Sequence, residues 1–276
     1  MVKCVMENAT FENSFDGLFE LISRLRGPTG CSWDREQSRE SMKKQLLEEV
    51  YELIDAIEEG NPLHIAEEVG DVLAHMAFQI VFGVENDEFS IGDIFRLEED
   101  KLIRRHPHVF SEASAKEPSQ VAAQWEEIKR DERGRSKSVL AGVTMSLPAL
   151  ALAQALQEHA ARVGFDWEDV GGVVDKVREE LDELVNAKTS EERESELGDV
   201  LFSLVNMARW LNVDAEDSLR RAGIRFQNRF AKMEHISDQS GLSLEEVSIG
   251  EQDLLWSQAK LELSDLPVSE DGTEIS

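Results

Sequence analysis

Only two cysteines, six prolines and one tyrosine occur in the 276 residues, and cations are the minority among charges, Lys+Arg 29 against Asp+Glu 57. Each shortage excludes something. Cys4 and Cys31 are too few for a disulfide framework, so stability has to come from an apolar core, and a reducing cytoplasm is the natural setting. A formal net charge of −28 repels nucleic-acid backbone and anionic membrane alike, which argues against both as partners, although a small polyanion can still be held through a bridging metal. Residues 1–10 lack the basic region and apolar run of a leader, and no apolar stretch approaches the ~20 residues of a membrane span. The expectation is a soluble, cytoplasmic protein. Period-two alternation is also missing: apolar residues recur at helical spacing almost everywhere, and the class this implies is all-α.

What is present is 41% hydrophobic residues, enough for real cores, in a length that suits two domains. Phe15, Leu18, Phe19, Ile22 and Leu25 predict a first helix over residues 12–25, capped by Asn13 or Ser14. Further helices are predicted over residues 38–58, 62–84, 90–105 and 118–133, with Gly60-Asn61-Pro62 stopping one and starting the next, and Pro107 ending the fourth. Residues 134–146 read as a linker, after which the pattern begins again. Glu49 recurs as Glu180, Asp71 as Asp199, Lys101 and Arg105 as Arg225 and Arg229, and Trp125 and Lys129 as Trp256 and Lys260, all at nearly constant spacing. Two tandem helical bundles are therefore expected, residues 1–133 and 147–263, followed by an acidic tail, residues 264–276, that lacks apolar periodicity and is expected to be disordered.

The duplicated feature is a set of carboxylates. Glu49 and Glu52 lie three apart on one predicted helix and Glu68 and Asp71 three apart on the next; Glu180 with Glu183 and Glu196 with Asp199 repeat the arrangement. Residues three apart share a helix face, so a helix–turn–helix can bring four carboxylates to one point. Like charges so placed repel, and a divalent cation is the ready explanation. Oxygen donors alone select a hard ion such as magnesium, with manganese as a substitute. A di-iron bundle would want Glu-x-x-His, and none of the six histidines has a glutamate three residues before it. Downstream of each acidic set comes a cationic pair four apart, then a tryptophan and a lysine four apart, suited to clamping phosphate and stacking on a base.

Glu-Glu-x-x-Glu followed by Glu-x-x-Asp, twice, together with Lys101-Leu102-Ile103-Arg104-Arg105-His106-Pro107-His108-Val109-Phe110 and Gly164-Phe165-Asp166-Trp167, resembles the MazG nucleoside triphosphate pyrophosphohydrolases over roughly residues 12–262. The resemblance implies an all-α fold, a tight homodimer, and magnesium-dependent cleavage of nucleoside triphosphates to monophosphate and pyrophosphate in the service of nucleotide-pool cleaning. It implies Glu180, Glu183, Glu196 and Asp199 as catalytic metal ligands, Lys176, Arg225 and Arg229 as phosphate holders, and Trp256 and Lys260 as nucleotide contacts. Glu49, Glu52, Glu68 and Asp71 are the first-copy metal set, with Lys101, Arg105, Trp125 and Lys129 as the matching substrate contacts. Departures from the family pattern are Gly223-Ile224-Arg225-Phe226 in place of Asn-x-Lys-Phe, and Gln45 where Lys176 has its counterpart.

Overall fold

Helix caps written into the sequence set most of the element boundaries. The computed structural model describes residues 11–111 and 138–264 and, between them, residues 117, 120, 121, 124, 125, 128, 129 and 132. Every regular element among the described residues is a helix, and none is long and apolar enough to cross a membrane. The chain forms two compact units, the first running to Glu126 and the second starting at Glu127.

In the first unit, α1 (Phe15–Arg26) starts where the Ser14 side chain accepts from Gly17 N, three residues later than the predicted start. A five-residue helix α2 (Ser32–Glu36) follows, then α3 (Lys43–Glu59), α4 (Pro62–Glu85), α5 (Ile91–Arg105) and a single turn α6 (Pro107–Phe110). The hairpin between α3 and α4 is the part that matters for function. Gly60 takes φ 71, the left-handed conformation that closes a helix C-terminus without a Cβ penalty, and its N–H donates to Ala56 and Ile57 carbonyls. Asn61 then caps the Leu63 and His64 amides, and Pro62 begins α4. Packing of α1 on α4 buries Ile22, Ala77, Phe78, Val81 and Phe82, with Met42 beside them. Arg26 locks this core from the edge. Its guanidinium lies 4.4 Å from the Phe82 ring centroid, pairs with Glu85 at 2.7 Å, and donates to the Gln37 carbonyl at 3.1 Å.

The second unit contains α7 (Ala149–Ala161), α8 (Val170–Asn186), α9 (Ser190–Trp210), α10 (Ala215–Gln239) and α11 (Ile249–Ser264). Here α8 and α9 form the equivalent hairpin by different means: Thr189 and Glu192 make a capping box, each bonding the other's amide. Val173, Val177, Val200 and Val205 are buried in this unit, and Met233, Ile236 and Ala259 knit α10 to α11. The expected helix over 118–133 is represented by Gln120, Val121, Gln124, Trp125, Ile128, Lys129 and Glu132, all helical. Much of the 134–146 linker, and the tail beyond Ser264, lie outside the described residues.

Candidate active site

Asp169 caps α8 by accepting from Gly172 N, which fixes the helix phase about two turns before Lys176 and about three before Glu180. With α9 packed against it, ligand atoms of Glu180, Glu183 and Glu196 come within 4.8 Å of one another. Glu180 is 5% exposed. Burial, followed by the charges of Glu183, Asp199 and Glu180, holds the Glu196 carboxyl above the usual carboxylate range. Asp199 thus belongs to the same field, at the rim of the triad. Lys176, one turn upstream, reaches Glu180 at 2.6 Å and Glu179 at 2.8 Å. Hydrogen bonds that it donates to Glu179 and Glu180 raise its ammonium pKa, so its charge is fixed.

The α3–α4 hairpin builds the matching cluster from Glu49, Glu68 and Asp71, again within 4.8 Å. Glu52 sits at its rim: after burial, it is the largest cause of the raised Glu49 pKa, followed by Asp71. The two triads differ in their third member, Asp71 in one and Glu183 in the other, which are not equivalent positions in the repeat. All donors are carboxylate oxygens, and Glu68 Oε2 is buried without a partner, so both sets have the chemistry of a hard divalent cation site.

The remaining predicted contacts are distributed unevenly. On α10, Arg229 is half-buried and Arg225 exposed, and neither these two nor Lys260 forms an ion pair among the described residues. Trp256 packs on Phe226 with ring centroids 5.3 Å apart and covers Met233, Ile236 and Ala259, so one face of its indole is committed to the core. In the first unit Arg105 lies over the Trp125 ring at 5.9 Å, bringing two predicted contacts together, and Lys101 pairs with Glu98; Lys129, which falls in the second unit, is half-buried.

Sequence reasoning missed the histidines. His64 Nε2 reaches Glu68 at 3.1 Å and its Nδ1 reaches Glu59 at 2.7 Å; His75 Nε2 stands 3.6 Å from Glu49. A test for Glu-x-x-His passes over them, yet Glu68 is four residues after His64 and His75 four after Asp71, a spacing that also shares a helix face. Arg209 was missed too. It holds Asp166 of the Gly-Phe-Asp-Trp motif at 2.9 Å and, with Trp210 Nε1 at 3.2 Å, keeps that carboxylate well ionised.

Residues 37–110 match the MazG nucleotide pyrophosphohydrolase domain. Over 247 residues the chain is 47% identical to the nucleoside triphosphate pyrophosphohydrolase/pyrophosphatase MazG of Thermotoga maritima, covering 89% of this chain and 95% of that protein. The chain belongs to the MazG family. It is also 40% identical over 262 residues to the nucleoside triphosphate pyrophosphohydrolase of Escherichia coli, covering 92% of this chain and all of the relative. The matched MazG domain spans α3 to α6, and with it the Glu49, Glu68 and Asp71 cluster.

Proposed function

We propose that this MazG protein hydrolyses nucleoside triphosphates to the monophosphate and pyrophosphate, so clearing surplus or aberrant nucleotides from the pool. The observation that carries this reading is the twice-built carboxylate hairpin in a chain whose full-length relatives are named nucleoside triphosphate pyrophosphohydrolases. Glu180, Glu183, Glu196 and Asp199 would hold a divalent cation, magnesium by the hardness of the donors or manganese in its place. When bound, such an ion neutralises phosphate oxygens and lowers the pKa of a coordinated water. The chain's own part is to present carboxylate oxygens from two packed helices, with Glu180 buried between them. Lys176 offers an ammonium one turn above Glu180, Arg225 and Arg229 carry unpaired positive charge for phosphate oxygens, and the exposed face of Trp256 with Lys260 suits a nucleobase.

We further take the second unit as a second MazG domain and the working form as a homodimer in the cytoplasm. Leu181 on α8 and Leu197, Leu201 and Leu204 on α9 are each more than two-fifths exposed, a stripe at helical spacing that a second copy of the chain would cover. A catalytically weak nucleotide- or protein-binding regulator of the same fold is favoured by one observation, the Gly223 and Arg225 departures, and pyrophosphate release separates the two. Purified protein with Mg2+ and a panel of triphosphates is expected to release pyrophosphate, and Glu180→Gln or Asp199→Asn to abolish it. Turnover that survives both changes would overturn the ligand assignment. Glu49→Gln with Asp71→Asn then reports on the first copy: a reduced rate makes it a working site, an unchanged one a structural or regulatory one.

A further inference from the structure

Gly172, Lys176, Glu179 and Glu183 follow one another at steps of four, three and four residues, so they stand in one row along α8, with Glu180 at its edge. At the start of that row a side chain is missing and a ring takes its place. A Cβ on Gly172 would stand 2.7 Å from Trp167 Cε3 and 3.4 Å from Cζ3, so the indole lies directly on the helix backbone. Trp167 is nonetheless 42% exposed, which leaves much of the ring uncovered. The loop that delivers it is tied down. Gly164 takes φ 85, Trp167 N donates to Asp166 Oδ1 at 2.9 Å, and Arg209 and Trp210 at the end of α9 hold the Asp166 carboxylate. A large ring fixed this firmly and left half uncovered is suited to receiving a flat ligand. The first unit lacks the platform. Trp33 there is 53% exposed, but Ser41, in a turn ahead of α3, stands where Gly172 has its counterpart, and Gln45 replaces Lys176.

Helix rise puts Lys176 about 6 Å and Glu180 about 12 Å along the axis from Gly172. Ring, cation and carboxylate cluster thus come in the order in which a nucleotide carries its base, its first phosphate and its metal-bound phosphates. We propose that Trp167 is the stacking surface for the base of a nucleoside triphosphate whose phosphates lie over Lys176 and the second cluster. Every base has a π-face, so an indole serves purines and pyrimidines alike. Trp256, the other aromatic candidate, has one face committed to the core and stands on α11 rather than on the helix that carries Lys176 and Glu180. The inference rests on the reading of the second cluster as the triphosphate site, and the experiment keeps the two apart.

Binding of an α,β-methylene nucleoside triphosphate, and of inorganic tripolyphosphate, which has no base, is measured calorimetrically with Mg2+ in the full-length chain. Trp167→Ala is expected to weaken the nucleotide analogue on the order of tenfold and tripolyphosphate by less than about twofold, with Trp167→Phe restoring most of the loss. Gly172→Ala keeps the ring but drives a Cβ against Trp167 Cε3, and is expected to weaken the analogue selectively as well. Trp33→Ala, in the first unit, is expected to change neither ligand. Tripolyphosphate binding at parent strength shows that a variant is folded. Analogue binding that is unchanged in Trp167→Ala, or a loss confined to Trp256→Ala, overturns the role of Trp167 alone. Equal loss of both ligands in Trp167→Ala makes the indole structural and overturns it too. If the parent binds neither ligand, or Glu180→Gln weakens neither, the triphosphate reading of the second cluster fails and this inference with it.

Discussion

Glu196 binds its proton more tightly in the fold than an ordinary glutamate does, because burial and the charges of Glu183, Asp199 and Glu180 all oppose its ionisation. The sign is opposite to that of a salt-bridged carboxylate. A raised folded-state pKa means that the ionised group destabilises the fold above that pKa and contributes nothing below the unfolded value, where both states are protonated. In chelator, Glu196→Gln is therefore expected to melt above the parent protein at pH 8, and the gap to close as the pH falls through the raised pKa. Adding Mg2+ or Mn2+ should remove the advantage at pH 8, since a cation relieves in the parent what the amide relieves in the variant. A Glu196→Gln melting temperature at or below the parent's at pH 8 in chelator would contradict this account. The three-residue spacing predicts four carboxylates in each set; the groups whose ligand atoms come within 4.8 Å are Glu49, Glu68 and Asp71, and Glu180, Glu183 and Glu196, with Glu52 and Asp199 outside them. The histidines beside them were not legible in the spacing, because His75 meets Glu49 across two helices and only the fold brings them close.

Helix ends decide whether those carboxylates converge, and the two hairpins solve the same problem with different residues. Between α3 and α4 a left-handed Gly60 and the Asn61 cap set the turn; between α8 and α9 the Thr189–Glu192 capping box does. Gly60→Ala forces a Cβ into φ 71 and is expected to cost about 1–2 kcal/mol, read as a lower urea midpoint at unchanged slope. Space is not the difficulty there, because no atom lies within 4 Å of the added Cβ; strain alone is tested. Gly60-Asn61-Pro62 was readable as punctuation, and so were α1, α4 and α5 from their apolar spacing. The single turns α2 and α6 were not, since four or five residues are too few for a 3.6-residue period to repeat. The second helix begins at Lys43 rather than near residue 38 because Ser38 and Ser41 bond each other's amides in a turn that holds the chain out of helix.

At the scale of the whole molecule more apolar face is built than the second unit buries. Val200 and Val205 are buried on α9, whereas Leu197, Leu201 and Leu204, which fall between them at helical spacing, stay 44–49% exposed, so the apolar face of α9 is wider than its own unit covers. A chain carrying net charge −28 resists unspecific association, so an interface formed there must gain from apolar burial more than it loses to repulsion. Stable dimers of this kind bury about 1,200–2,000 Å2 or more, and leucines in the middle of such a patch dominate it. Leu197→Asp with Leu201→Asp adds two buried charges per protomer, four across a twofold interface, and is expected to give monomers in sedimentation velocity at micromolar concentration. Salt sharpens the test. Screening weakens the repulsion between two acidic chains, so raising ionic strength should tighten the parent dimer and leave the variant monomeric. A variant that still sediments as a dimer would place the interface elsewhere, on the α3–α4 hairpin, where Leu47, Val69 and Leu73 are also exposed.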